Sequence, residues 1–351
     1  MPLQPHPQLR VVAIGGGTGL STLLRGLKRF VQPPPGAVQP SDAACNDLPC
    51  RIAHLAALVT VSDDGGSSGR LREDLKMLPP GDVRNCVAAL SEDEQLLTRL
   101  FQYRFPTSGN SDEDRGLAGH SFGNLFLAAM TAIHGGDFAQ AVQMSSQILA
   151  ARGAIYPATN SHVTLSARMD DGSVVNGETN ITASRRRIEE LSLQPADVQP
   201  MPEALDAIAR ADLITLGPGS LFTSLITNLL VDGIPQAIAA SNATRVYVCN
   251  LMTQANESIG LTASDHIRRI QAHCNGVRLF DYAVVNTAPI SPLLFQKYIR
   301  LGQLPIEADL DRIRDLGVIP ITGNFAHEGD VLRHDYDRVS EVILDLPSRT
   351  A

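Results

Sequence analysis

The stretch Leu55–Arg72, LAALVTVSDDGGSSGRLR, decides the fold. Leu58, Val59, Thr60 and Val61 form an apolar, β-branched run that reads as a buried strand. The run stops in Ser62-Asp63-Asp64-Gly65-Gly66-Ser67-Ser68-Gly69, eight residues of carboxylate, glycine and hydroxyl. An ordinary strand-to-helix turn needs only a few such residues, so the length marks a ligand loop. It follows the carboxyl end of a strand, where open α/β sheets leave a crevice and the next helix offers free N–H groups. Asp63 and Asp64 could bind magnesium, hold ribose hydroxyls or act as a base. Ser67, Ser68 and the cations Arg70 and Arg72 follow at once, where an anion would want them.

Upstream, Leu9 to Ile14 reads as a first strand, followed by Gly15-Gly16-Gly17-Thr18-Gly19 and an apolar helical run at Leu20, Leu23, Leu24 and Leu27. Strand, glycine loop and helix together give the motif meaning, because glycine lets the backbone approach a phosphate at a helix N-terminus. The dinucleotide fingerprint is broken, since its third glycine would fall on Leu20, and no lysine follows as in a P-loop. A phosphate or sugar near Gly15–Gly19 is expected; NAD is not. Downstream, Asp212–Leu216 is a strand ending in Gly217-Pro218-Gly219-Ser220, with Thr223 in the helix that follows. Two such turns imply a doubly wound sheet with its crevice between them. Strand Arg245–Asn250 ends in Asn250-Leu251-Met252-Thr253-Gln254, which would face the same crevice.

The intervening chain adds candidates. Asp82 reads as the cap of a helix reaching Leu90. Arg84 sits in its first turn, where a cation opposes the helix dipole, so an anion aimed at Arg84 explains the placement; Asn85 is its neighbour. Gly119-His120-Ser121-Phe122-Gly123-Asn124 enters an apolar helix, with Ser121 as cap and His120 and Asn124 flanking its start. Short strands lie between Gly153 and Val175, Arg185–Arg187 reads as a solvated face, and alternating strands and helices continue to Leu344. The expected class is α/β: a doubly wound, mostly parallel sheet with helices on both faces, one domain over 1–351 with its core at 9–345. Residues 32–49, rich in Pro, Gly and Ala, read as a surface insertion.

Composition excludes several functions. Net charge is −8, with pI about 5.6 and mean hydropathy near zero, which argues against broad nucleic-acid binding. Tryptophan is absent and aromatics are 5%, so no stacking platform is expected. No apolar run reaches membrane-spanning length, and the polar N-terminus is no signal peptide. Five scattered cysteines read as reduced thiols of a cytoplasmic protein.

Six motifs in this order, GGGTGL, SDDGGSSGRLR, PPGDVRNC, GHSFGNLFL, GPGSLFTS and NLMTQ, resemble the YvcK-like gluconeogenesis-factor family, related to 2-phospho-L-lactate transferase in the CofD-like superfamily. The resemblance runs from about Val11 to beyond Asp265 and implies a Rossmann-like fold. It also implies a cytoplasmic protein needed for growth or normal cell shape on gluconeogenic carbon, binding UDP-sugars such as UDP-N-acetylglucosamine. Gly15, Gly16, Gly17, Thr18, Gly19, Gly217, Gly219 and Ser220 would then lie in the nucleotide-sugar site. Asp63, Asp64 and Arg84 match motifs that help hold a flavin-like acceptor in the transferase. Asp63, Asp64, Ser67, Ser68, Arg84, Asn85, His120, Asn124, Asn250 and Thr253 complete the expected ligand-binding set. The alternative is a transferase moving a phosphoryl-linked group from a nucleotide-activated donor, with magnesium on Asp63 or Asp64 and His120 as a further catalytic group. No cofactor is required by the first reading. Homo-oligomers and an envelope-synthesis partner are compatible with it.

Overall fold

The computed structural model describes residues 8–32, 50–92, 94–107, 116–184, 186–255 and 257–350. The expected insertion at 32–49 therefore lies outside them, apart from Gln32. The strands are β1 Leu9–Gly15, β2 Ile52–Val59, β3 Ala154–Pro157, β4 Thr164–Met169, β5 Val174–Asn176, β6 Ile188–Gln194, β7 Leu213–Leu216, β8 Thr244–Val248, β9 Tyr282–Asn286, β10 Ile319–Gly323, β11 Ala326–Glu328 and β12 Leu332–His334. Seven of them form a parallel sheet in the order β10-β9-β8-β7-β1-β2-β3. The order reverses between β1 and β7, whose residues Val11–Ile14 lie in register with Leu213–Leu216. That reversal is the switch point at which the connections leave in opposite directions and open a crevice.

The helices are α1 Gly17–Lys28, α2 Gly66–Leu75, α3 Gly81–Leu90, α4 Glu94–Gln102, α5 Phe122–Ile133, α6 Phe138–Ile148, α7 Glu178–Ala183, α8 Pro202–Ala209, α9 Thr227–Leu229, α10 Ile234–Ala240, α11 Ala263–His273, α12 Pro292–Ile299, α13 Leu310–Asp315, α14 Tyr336–Asp345 and α15 Pro347–Thr350. They cover both faces. The pleat divides β1 between two cores: Val12 and Ile14 join one cluster, and Leu9, Val11 and Ala13 the other. No single helix among the described residues is long and apolar enough to cross a membrane.

Two elements differ from expectation. The helix after Gly217 begins as a π-helical turn, Leu221–Ile226, before α9. Thr227 Oγ1 donates to the Phe222 and Thr223 carbonyls at 2.9 and 3.1 Å, and Asn228 Nδ2 donates to Ser224 O at 2.7 Å. Side chains thus take carbonyl bonds that a regular helix would keep, which fits a widened turn. The second is a small antiparallel sheet, β5-β4-β6, here called the flap, which with α7 buries Leu165, Met169, Ile181, Ile188 and Leu191 in the same core cluster as Val12 and Ile14. Cys86, Cys249 and Cys274 are free and buried, but Cys50 is disulfide-bonded, which corrects the expectation of reduced thiols throughout.

The two glycine turns touch. A Cβ built on Gly19 would collide with the backbone carbonyl of Pro218 and come within 3.0 Å of Gly219 Cα. Neither partner is a flexible side-chain tip, so the clash cannot be relieved cheaply. Gly19→Ala should destabilise the fold by about 1–3 kcal/mol, the cost of overpacking a close contact. Urea unfolding measures it, and an unchanged midpoint would show that the turns are free to separate.

Candidate functional site

A cavity of about 350 Å³ opens at the switch point, within the usual range for small-molecule sites. One wall is Gly16–Gly19 and Thr22; a second is Pro218–Ser220 and Ser224; the floor is Asn250–Gln254. The facing wall comes from the C-terminal part of the chain: Tyr298 and Gln303 around the end of α12, Leu332–His334 of β12, and Tyr336. Of the expected residues, Gly16, Gly17, Thr18, Gly19, Gly219, Ser220, Asn250 and Thr253 line this space. Gly15 lies behind it, its carbonyl held by Thr60 N at 3.1 Å and Asn228 Nδ2 at 3.0 Å. Gly217 is likewise behind the lining, bonded through its N–H to Ile14 O at 3.0 Å.

Asn250 fixes the second turn by exchanging two hydrogen bonds with one residue: Gly219 N donates to its Oδ1 at 3.1 Å, and its Nδ2 donates to Gly219 O at 2.7 Å. Gln254 Nε2 donates to Ser220 Oγ at 2.8 Å. Thr253 is buried, and its side-chain Oγ1 accepts a bond from Leu304 N at 2.9 Å. His334 contacts the Cys249 carbonyl through Nε2 at 3.0 Å, and burial lowers its pKa to about 4, so it is neutral. Arg333, exposed and hydrogen-bonded to the Tyr336 phenol, is therefore the cation lining the crevice among the described residues.

The helix N-termini behind the glycine turns are occupied by the protein's own carboxylates. Asp82 is not the cap of α3, a position held by Pro80; it lies in the first turn and accepts a hydrogen bond from the Gly17 N–H. Gly17 has φ +58°, a left-handed conformation that turns this N–H and that a β-branched residue would not adopt. Burial, then the nearby Asp63, push the Asp82 carboxyl up to about 6, against the Gly17 bond and Arg84. Glu257, 6% exposed, accepts from Thr223 Oγ1 at 3.1 Å and from the Phe222 and Thr223 N–H groups.

Asp63 and Asp64 diverge. Asp63 Oδ1 accepts from Gly65 N at 2.9 Å, an Asx turn, while its other oxygen faces Gly81. Asp64 Oδ1 accepts from Thr179 N at 2.8 Å and Thr179 Oγ1 at 2.7 Å, tying the loop to the flap. The pair does not converge on one point, so these residues do not fit a magnesium ion bridged by both. Among the described residues no group of three or more His, Cys, Asp or Glu has metal-holding geometry. Glu178, at the start of α7, was not singled out in the sequence. Ser62 Oγ donates to it at 3.3 Å, and burial, then Asp82, Asp63, Glu257 and Asp64, raise its carboxyl to about 9.

A third group stands on the far side of Asp63 and Asp82. Ser67 Oγ accepts from Asn124 Nδ2 at 3.0 Å and Ser121 N at 3.4 Å, and contacts His120 Nδ1 at 3.0 Å. With two bonds accepted, Ser67 donates its proton to His120, which places the histidine proton on Nε2. Burial and then Arg70 lower the His120 pKa, keeping it neutral. His120 and Ser67 thus build the loop around α5, together with Ser68, which Asn124 Nδ2 reaches at 3.5 Å. Arg84 Nη1 donates to Ser121 Oγ at 2.6 Å, and its Nη2 to Asn85 Oδ1 at 2.9 Å. None of these residues lines the crevice.

The larger cavity, about 920 Å³, lies toward the amino ends of β1, β2 and β3. Its arginines are already paired, Arg10 with Asp212, Arg152 with Glu92 and Arg210 with Asp206, which leaves little to recognise a charged ligand.

The family model for 2-phospho-L-lactate transferase CofD matches residues 11–326. A protein called gluconeogenesis factor from Halalkalibacterium halodurans is 46% identical over 342 residues, 97% of each chain. One of the same name from Bacillus subtilis is 43% identical over 338 residues, 96% of this chain and 98% of that one. A crystal structure of a UPF0052 family member from Bacillus halodurans covers 96% of this chain and 99% of its own, with 45% identity and a TM-score of 0.84.

Glu178 gives a pH test. Its carboxyl binds a proton more tightly folded, near 9, than unfolded, near 4.5, so stability falls as pH rises through that window. Glu178→Gln removes the loss. Its melting temperature should match the wild type at pH 5 and exceed it at pH 8; a gap independent of pH would mean that Glu178 is not held protonated.

Proposed function

The chain belongs to the CofD family and to its gluconeogenesis-factor branch, and from that premise we propose that it is a cytoplasmic UDP-sugar-binding regulatory protein required for growth and normal cell shape under gluconeogenic conditions. The observation that carries this is the crevice at the switch point, with Arg333 facing two walls of backbone and hydroxyl groups. A nucleotide diphosphate needs a counter-charge and hydrogen-bond donors. Arg333 supplies the first as a planar fork, and Thr18, Ser220 and Ser224 can supply the second. The glycine wall approaches the ligand by backbone, and the Asn250 bonds hold Gly219 in one position, so binding reorganises little.

The relation to a transferase keeps turnover as the competing outcome. Asp63 and Asp64 engage different partners, which disfavours a magnesium ion held by both, while a magnesium ion held by one of them with diphosphate oxygens is what the chelator test addresses. Arg333→Ala should weaken UDP-N-acetylglucosamine binding by about 10- to 100-fold, which is about 1.4–2.7 kcal/mol, with the protein folded. Calorimetry decides, and unchanged affinity would take the diphosphate away from this wall. Chelator should alter wild-type affinity less than tenfold, and long incubation should give no product. Magnesium-dependent release of a nucleotide would make the protein a transferase instead.

A further inference from the structure

The wall that carries Arg333 ends in an apolar rim that the fold does not use. Ile299, Leu301 and Leu304 fall within six residues around the end of α12, and Val331 immediately precedes β12; each is 40 to 58% exposed. They are interleaved with residues that line the cavity, Tyr298, Gln303 and Leu332. Hydrogen bonds join the two stretches into one edge: Leu332 N donates to the Tyr298 hydroxyl at 2.9 Å, and Lys297 Nζ donates to Asp330 O. Leu304 is fixed to the crevice floor, with Thr253 N donating to its carbonyl at 2.7 Å and its own N–H to Thr253 Oγ1 at 2.9 Å. The chain reverses at Gly302, φ +72°, where Gly302 N donates to Ile299 O at 2.9 Å and Gln303 N to Tyr298 O at 3.0 Å. Such a helix end needs its glycine, but it does not need an exposed leucine on either side. Single exposed apolar side chains are ordinary. Four on one connected edge of a polar cavity mark a contact surface.

The size of the cavity says what reaches this edge. At about 350 Å³ it lies near the lower end of small-molecule sites, so a nucleotide diphosphate fills it and the group it carries emerges past Arg333. Tyr298–Leu304 contains no acid and one arginine, Arg300, so nothing in that segment repels the diphosphate. A bare sugar, all hydroxyls, would leave the four apolar side chains in water. We propose that the ligand of the crevice is a UDP-sugar bearing a fatty acyl chain, and that the chain lies on Ile299, Leu301, Leu304 and Val331. This rests on the reading of the crevice as a UDP-sugar site. A hydrocarbon chain attached to the ligand suits a rim continuous with the ligand's own cavity, because it brings no polar group to be satisfied and gains with each methylene it buries.

The probes are UDP-N-acetylglucosamine and the same molecule with a tetradecanoyl chain on the sugar 3-hydroxyl, titrated calorimetrically below the micelle concentration. Tetradecanoate and farnesyl diphosphate are the controls. The acylated form should bind wild type at least tenfold more tightly than the plain one, and a hexanoyl form should fall between them. The double variant Leu301→Ser, Val331→Ser should lose at least fivefold for the tetradecanoyl form and less than threefold for the plain one. Both positions are exposed, so the variant should fold, which a melting curve checks. Arg333→Ala should weaken both ligands. An acylated form bound no more tightly than the plain one, with the plain one still dependent on Arg333, would overturn the rim and leave the proposed function standing. Retention of the whole gain in the double variant would also overturn it. Tetradecanoate bound as tightly as the acylated nucleotide would reduce the rim to unspecific hydrocarbon binding, and farnesyl diphosphate bound as tightly would make the ligand a prenyl diphosphate; either result ends the proposal. Binding of neither UDP-sugar would remove the proposed function and this inference together.

Discussion

The hydrogen bond from the Gly17 N–H to the Asp82 carboxylate sets the electrostatics of the whole crevice. A glycine loop opening a helix ordinarily offers its N–H groups and positive dipole to a ligand phosphate. Here α3 delivers a carboxylate to that place, and its partner turn repeats the device, with Glu257 on the Phe222 and Thr223 N–H groups. Two internal carboxyl groups therefore take N–H groups that a ligand phosphate would otherwise use. A ligand phosphate entering between them must find its counter-charge elsewhere, and the crevice offers it on the opposite wall at Arg333.

The same constraint explains the acidic loop. Asp63 lies close enough to raise the pKa of Asp82, and both raise that of Glu178, so three ionised carboxylates would repel strongly. The structure relieves this in three ways. Asp64 turns away to Thr179, Asp63 spends one oxygen on Gly65 N, and Glu178 stays protonated with a hydroxyl at its side. The loop then serves as a junction. Asp64 ties the flap to the sheet from one side, while Arg72 donates to Val163 O and to Thr164 Oγ1 from the other.

The parallel sheet, the two glycine turns and the polar floor after β8 were legible because each rests on local pattern: β-branched runs, glycine where backbones approach, and polar residues at strand ends. What was not legible is pairing across the sequence. Nothing near Asp82 says that it reaches Gly17, 65 residues away, and a capping role is the sound local inference for an acid after Pro-Gly. Glu178 sits in a short helix, and its protonation follows from neighbours at positions 63, 64, 82 and 257. Arg333 is one of many surface arginines until β12 folds over the crevice. The adjacent pair Asp63-Asp64 misled in the opposite sense, since neighbours in sequence point to different partners at a loop bend.

The crevice walls also have a mechanical relation. The glycine wall begins α1, and the facing wall runs into α14, which packs directly on α1. A Cβ on Gly26 would come within 2.6 Å of the Tyr336 carbonyl oxygen, and Arg29 pairs with Asp337. Tyr336 is at once the start of α14, the partner of Arg333 and a lining residue. A ligand drawn to Arg333 on one side and to Thr18 and the glycine loop on the other would bridge two segments more than 300 residues apart in sequence. It can shift their spacing only by the difference in its affinity for the two arrangements. That difference is concentrated in Arg333, because the backbone and hydroxyl wall is held rigid by Asn228, Asn250 and the internal carboxylates. On the proposed reading, an occupied crevice would therefore be felt first at β12 and α14, the elements that carry the cation, rather than at the glycine loops that first identify the site.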